Sequence, residues 1–345
     1  MITMIKSFKK HNLLLLVMVV TLLFAVTACG DGDVEEESDA GVNGEQSEQQ
    51  DDVTEEDTAE DEAGARVIEH AMGTTTIEGT PTRIVTLYQG ATDVAVAFDV
   101  KPVGVVESWV EQPIYEYLRD DLEGVEIIGN ETQPNLEEIA ALNPDLIIAS
   151  QLRHEEIYEH LSEIAPTVAH EDVSYFKETV ELMGKAMNRE EDAETILADW
   201  EERVADFQTK VEAELGDEWP LNVAILNFRA DHARIYFTGF AGGILKELGF
   251  ERPENQQSDE WGVMLSDKES IPEMNADIFY IFNEEGEAVQ NTFEEWTSHP
   301  LWNNLDAVQN DQVHMVDEVT WNMAGGIIAA NNMLDDIYER FDLEQ

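Results

Sequence analysis

The chain has 345 residues, with 19 Lys and Arg against 75 Asp and Glu, and a formal net charge of −56 at pH 7. So acidic a chain lacks the basic patches that phosphate backbones require, which argues against a nucleic-acid partner. Its single cysteine excludes an internal disulfide. Charge repulsion on this scale destabilises a compact state unless salt screens it, so a saline or alkaline habitat is expected.

Taken in chain order, Lys6, Lys9 and Lys10 precede an apolar run of sixteen residues, Leu13 to Ala28. The run is shorter than the roughly 20 residues of a spanning helix and has the layout of a secretory signal. It ends in Val26-Thr27-Ala28-Cys29, which resembles a bacterial lipobox. The resemblance implies a signal peptide of residues 1–28, lipid on Cys29, and residence at the extracellular face of the cell membrane. The alternative is a plain secretory signal with a chance cysteine. Residues 29–63 are Asp, Glu, Gln, Ser, Gly and Thr with almost nothing apolar. Such a segment cannot offset its conformational entropy by burial and is expected to be a disordered, charge-extended tether.

From residue 64 onward the pattern is strand and helix in alternation. Arg83–Leu87, Pro102–Val106 and Pro144–Ala149 read as short apolar strands, with helices over Ala91–Phe98 and Leu136–Leu142, the latter capped by Asn135. Apolar strands between helices predict a parallel sheet covered on both faces. Tyr175–Met187 and Glu190–Leu215 read as a helical strut with a buried stripe of Ile196, Leu197, Trp200, Val204, Phe207 and Val211. The grammar then repeats, with strands over Asn222–Leu226 and Ala276–Ile281 and helices over Gly243–Leu248 and Lys268–Met274. Leu136–Ile147 aligns with Lys268–Phe279 without a gap, which fits two related lobes. The expected organisation is an N-terminal α/β lobe (64–172), an interlobe helical strut (173–216) and a C-terminal α/β lobe (217–345). The expected fold class is α/β, with two Rossmann-like lobes joined by one long helix.

At this point the chain resembles the iron-siderophore substrate-binding proteins of bacterial ABC importers. The resemblance is carried by the order of Pro81-Thr82-Arg83-Ile84-Val85, Lys101-Pro102-Val103-Gly104-Val105 and Leu142-Asn143-Pro144-Asp145-Leu146-Ile147. His154-Glu155-Glu156-Ile157-Tyr158 and Ile164-Ala165-Pro166-Thr167-Val168 follow, and then His299-Pro300-Leu301-Trp302, Trp321, Gly325-Gly326 and Ala329-Ala330. It implies a ligand cleft between the two lobes, and a lipid-anchored monomer, not an enzyme, that captures a ferric siderophore and delivers it to an ABC permease with its ATPase. No cofactor and no direct metal ligand are expected, because a ferric siderophore brings its iron already coordinated. The segments around Arg153 and around Arg229 to Tyr236 resemble the hydroxamate or citrate-hydroxamate branch.

An anionic ligand rich in oxygen suits arginine, whose planar fork carries a permanent charge. By the resemblance, Arg153, Arg229 and Arg234 are the first choices for ligand oxygens; the alternative is that each pairs with a neighbouring surface carboxylate. Tyr88, Trp109, Tyr236, Trp261 and Trp321 are the candidate aromatic walls, with core packing as the alternative for Trp321. Glu137 and Glu269 hold matching positions in the internal repeat, and the resemblance implies that they dock the permease. Compensation of a helix dipole is their alternative role. Haem, cobalamin or a bare metal ion held by some of the mature-chain histidines (His70, His154, His160, His170, His232, His299, His314) stay open as other ligands. No nucleophile elbow, phosphate-cradling glycine loop or catalytic cysteine points to an enzyme. A stiff strut also implies small closure, of the order of a few degrees.

Overall fold

The computed structural model describes residues 64–282 and 286–345. The signal segment, Cys29 and the acidic tether lie outside the described residues. The described chain opens with a hairpin of β1 (Arg66–His70) and β2 (Gly73–Ile77), which the sequence reading did not anticipate. The first lobe then runs through β3 (Ile84–Thr86), α1 (Gln89–Ala97), β4 (Gly104–Glu107), β5 (Glu126–Asn130), β6 (Gln133–Pro134), α2 (Leu136–Ala141), β7 (Leu146–Ser150), α3 (Gln151–His154), α4 (Tyr158–Ile164) and β8 (Thr167–His170). Its sheet has the order β6-β5-β4-β3-β7-β8, with β6 antiparallel to β5 and the other pairings parallel. The expected parallel sheet is present, because its strands are apolar runs buried on both faces.

Two helices follow, α5 (Phe176–Met187) and α6 (Glu190–Leu215). Asn188 between them takes the left-handed conformation, φ 59°, and ends α5. A Cβ on Gly184 would lie 2.6 Å from the Ala193 Cβ, so glycine lets the two helices touch. α6 has 26 residues, about 39 Å at 1.5 Å per residue. Glu190, Glu191 and Asp192 in its first turn suit the helix dipole. Trp200, Val204, Phe207 and Val211 are buried as the stripe predicts, and Ile196 and Leu197 are half-buried at its edge.

The second lobe comprises β9 (Val223–Phe228), β10 (Ala233–Tyr236), α7 (Gly239–Glu247), β11 (Gly262–Leu265), a 3-10 helix (Lys268–Met274), β12 (Ile278–Phe282), α8 (Glu287–Thr297), α9 (Asp306–Gln309), β13 (Val313–Val316) and α10 (Ile327–Arg340). The sheet order is β11-β10-β9-β12-β13. Here the all-parallel expectation is corrected: β9, β12 and β13 are parallel, but β10 is antiparallel to both neighbours. A tight turn makes the difference. The Arg229 N–H donates to the His232 carbonyl at 2.8 Å, folding β10 straight back on β9.

One core cluster runs continuously through both lobes and the helices between them. It joins Tyr88 and Phe98, Met183, Trp200 and Phe207, and then Tyr280 and Leu334. Separate clusters line the other face of each sheet. The lobes also meet at a sealed joint. Asp93 on α1 is fully buried and reaches the N-terminus of α10, accepting the Ile328 N–H at 2.8 Å and the Ala329 N–H at 3.0 Å. The Tyr117 hydroxyl donates to it at 2.7 Å. Burial pushes its carboxyl up to about 6, with the three donors opposing the rise. A Cβ on Gly326 would stand 2.2 Å from the Asp93 carboxyl, and one on Gly90 would stand 2.6 Å from the Gly325 oxygen. The two lobes therefore touch through backbone at this point.

The internal repeat has a physical basis. Asp145 accepts the Thr82 and Arg83 N–H groups, and Asp277 accepts the Asn222 N–H, at 2.9, 2.8 and 2.7 Å. Each aspartate thus ties the strand it opens to the start of a neighbouring parallel strand. The match is looser in the backbone. Asn143 has φ 47° after an α-helix, whereas Asn275 is extended after a 3-10 helix interrupted by Pro272.

Candidate functional site

The C-terminal edges of β7 and β9 face one cavity of about 390 Å3 between the lobes. From the first lobe it is lined by Gln89, Trp109, Glu131 and Arg153, and from the second by Arg229 and Met323. It has the size of a small-molecule site, in the position where open α/β sheets bind ligands.

Arg153 stands on the short helix α3 immediately after β7. Its Nε–H donates to Glu131 Oε1 at 3.0 Å, and its guanidinium carbon lies 5.9 Å from the centre of the Trp109 ring. The expected alternative, a surface carboxylate partner, is met in altered form: the partner exists, but it is a cavity residue only 3% exposed. Burial pushes the Glu131 carboxyl above its usual range, and the Arg153 charge, with hydrogen bonds from Arg153, Gln89 and Trp109, pulls it back. Sequence reading passed over Glu131, because one glutamate among 75 acidic residues carries no local signal.

Next to it, His154 is buried. Its Nδ1 accepts the Ser150 N–H at 3.0 Å, so its proton sits on Nε2 and points to the Glu131 carbonyl at 2.9 Å. Burial pulls the imidazole down to about 4, with the neighbouring Arg153 charge adding to the effect.

Arg229 lines the opposite wall, directly after β9. Trp109 is 42% exposed, as a binding aromatic should be. Arg153, Arg229 and Trp109 are thus brought together. Arg234, Tyr236 and Trp261 form a different group at the sheet edge and do not line this cavity. Arg234 lies 6.0 Å from the Trp261 ring and donates through Nε to His232 Nε2, while Tyr236 packs edge-on to Trp261 at 5.7 Å. Tyr236 faces a second cavity of about 330 Å3, next to Leu245, Phe250 and Arg252.

Two expected walls are corrected. Tyr88 precedes α1, but its ring turns into the core, is 0% exposed, and its hydroxyl bonds Thr179 at 3.1 Å. Burial pushes its phenol far above the usual range. Trp321 is also 0% exposed, its ring tilted against Tyr280 with centres 4.6 Å apart and its indole N–H on Asp336, which is its alternative of core packing. Neither can touch a ligand in this arrangement.

Glu137 and Glu269 are both exposed, each two residues after a capping side chain. The Asn135 Oδ1 accepts the Glu137 N–H and the Asp267 Oδ1 accepts the Glu269 N–H. Because β11 runs parallel to β9, the helix bearing Glu269 starts at the cleft edge of its sheet. Among the described residues no three His, Cys, Asp or Glu side chains group as a metal-binding set. Among the same residues no helix is long and apolar enough to cross a membrane.

Comparison with known proteins agrees with this architecture. The family described as "Periplasmic binding protein" matches residues 77–320. The achromobactin-binding periplasmic protein of Dickeya dadantii is 46% identical over 260 residues, covering 74% of this chain and 85% of that protein. The Fe(3+)-citrate-binding protein YfmC of Bacillus subtilis is 31% identical over 281 residues, covering 80% and 86%. Among solved structures, Staphylococcus aureus SirA complexed with staphyloferrin B superposes with a TM-score of 0.78 at 49% identity, covering 81% of this chain and 99% of SirA. Two α/β lobes joined by a long helix agree with this solved structure, and the chain belongs to the periplasmic binding protein family.

Proposed function

We propose that this protein is a lipid-anchored solute-binding protein on the extracellular face of the cell membrane. It captures a ferric siderophore and delivers it to an ABC permease and its ATPase. The observation that carries the reading is the pair Arg153 and Arg229 on opposite walls of one interlobe cavity, beside the exposed face of Trp109. Two guanidinium groups in so acidic a chain select an anionic, oxygen-rich ligand and leave the iron to the siderophore's own oxygens. The relative named for Fe(3+)-citrate, at 31% identity, supports the citrate side of the expected hydroxamate or citrate-hydroxamate class. Glu137 and Glu269, both exposed, are the permease contacts, and Cys29 carries the lipid.

Trp109 supplies the readout. Tryptophan fluorescence of residues 64–345 is titrated with ferric staphyloferrin B, ferric citrate, a ferric hydroxamate, haemin, cobalamin and ferric ion alone. Saturable quenching by a carboxylate siderophore at sub-micromolar concentration supports the reading. A response confined to haemin, cobalamin or the bare ion overturns the substrate. For docking, Glu137→Arg with Glu269→Arg abolishes uptake into cells while leaving binding in solution intact. For the anchor, Cys29→Ser releases the protein from the membrane.

A further inference from the structure

We infer that Glu131 is a positioning residue, whose buried carboxylate aims the Arg153 guanidinium by holding Nε and leaves Nη1 and Nη2 for the ligand. The inference rests on the reading of Arg153 as a ligand contact.

Glu131 itself is fixed from three sides. Its Oε1 takes the Arg153 Nε–H, its Oε2 takes the Gln89 backbone N–H at 3.3 Å, and its carbonyl takes the His154 Nε2–H. Since His154 is anchored in turn on the Ser150 N–H, the turn after β5 is tied to both the end of β7 and the start of α1. Arg153 donates only through Nε among the described residues, so both terminal nitrogens of its fork are uncommitted. An arginine that must be immobilised on binding loses rotamer freedom, and one already held loses less. The arrangement has a built-in opposition. The same carboxylate that aims the fork also places a negative charge where an anionic ligand arrives. Reach and charge therefore make opposite predictions, and two substitutions separate them. Glu131→Gln keeps an acceptor oxygen at the same reach and removes the charge. Glu131→Asp keeps the charge and withdraws it by one methylene.

If Glu131 positions Arg153, Glu131→Gln binds ferric staphyloferrin B at least as tightly as the native protein, and Glu131→Asp binds it about fivefold more weakly. In an Arg153→Ala background the Glu131→Asp change then has no further effect. The opposite order of the two variants, or an undiminished effect of Glu131→Asp without Arg153, overturns the inference. A ligand-free readout keeps this separate from the functional reading. The Arg153 Nε–H resonance, assigned by its loss in Arg153→Ala, is protected from solvent exchange in the native protein and in Glu131→Gln, and exchanges faster in Glu131→Asp. Equal exchange in all three overturns the positioning role even where siderophore binds. Failure of every siderophore to bind, with the protection pattern intact, overturns the assigned ligand and leaves the aiming of Arg153 by Glu131 standing.

Discussion

The lobes meet in two different ways within one molecule. At the joint between α1 and α10, backbone touches backbone across Gly90, Gly325 and Gly326, and a single buried carboxylate, Asp93, closes the contact. At the cleft the lobes are parted by a cavity, with Arg153, its partner Glu131 and the exposed Trp109 on one side and Arg229 and Met323 on the other. The joint is sealed by glycine and a helix cap, whereas the cleft encloses a cavity of about 390 Å3. Together with the core that runs through both lobes, this makes the joint the fixed point and the cleft the variable one.

The largest effect should come from breaking the joint. Asp93→Ala leaves two helix N–H groups and a tyrosine hydroxyl without their buried acceptor, and should lower unfolding free energy by about 4 kcal/mol in denaturant melts. Removing cleft groups should not approach this.

The two regions should also titrate in opposite senses. His154, beside the cleft, is held near 4 in the folded state against 6.5 unfolded, so the folded protein binds fewer protons between those values. Its stability contribution is complete above pH 6.5 and is lost as pH falls towards 4, on the order of 3 kcal/mol. Asp93, at the joint, is raised from 3.8 to about 6, so the folded state binds more protons in that window and stability falls as pH rises through it. Melts of the native protein minus His154→Gln should climb from pH 4 to 6.5, whereas native minus Asp93→Asn should decline from pH 4 to 6. Parallel slopes for the two differences would contradict the assignment.

Cleft substitutions should act on binding instead. Arg153→Ala and Arg229→Ala should each weaken a carboxylate siderophore by about 30-fold, near 2 kcal/mol for a lost charge-assisted hydrogen bond, measured by fluorescence titration. The smallest effect should be that of salt. Raising it from low to molar concentration should raise the melting temperature of the acidic domain through screening, and indifference to salt would remove the inference of a saline or alkaline habitat.

Much of this architecture was legible because it depends on local pattern. Apolar runs marked the parallel strands, Asn135 marked a helix start, and Trp200 to Val211 marked the buried stripe of α6. The β9–β10 hairpin was not legible, since Ala230-Asp231-His232 carries no glycine to announce a two-way turn. Placing Tyr88 in the cleft assumed that a residue after a strand lies on a loop, whereas α1 begins at once and turns that ring into the core. For Trp321 the alternative, core packing, is the one observed, and its partners Tyr280 and Asp336 lie on other elements, out of reach of a local pattern. At the site, rare arginines stood out against an acidic background, and the glutamate that holds one of them was hidden by the same background. Asp93 escaped notice because its partners lie 24, 235 and 236 residues away.

The most direct test of the central claim is a crystal structure of residues 64–345 with ferric staphyloferrin B. The ligand is expected in the interlobe cavity, with its oxygens within hydrogen-bond distance of Arg153 Nη1 or Nη2 and of Arg229, and one face against Trp109. Ligand density at the Arg234–Trp261 group, or in the cavity beside Tyr236 and Arg252, with the interlobe arginines untouched, would contradict it.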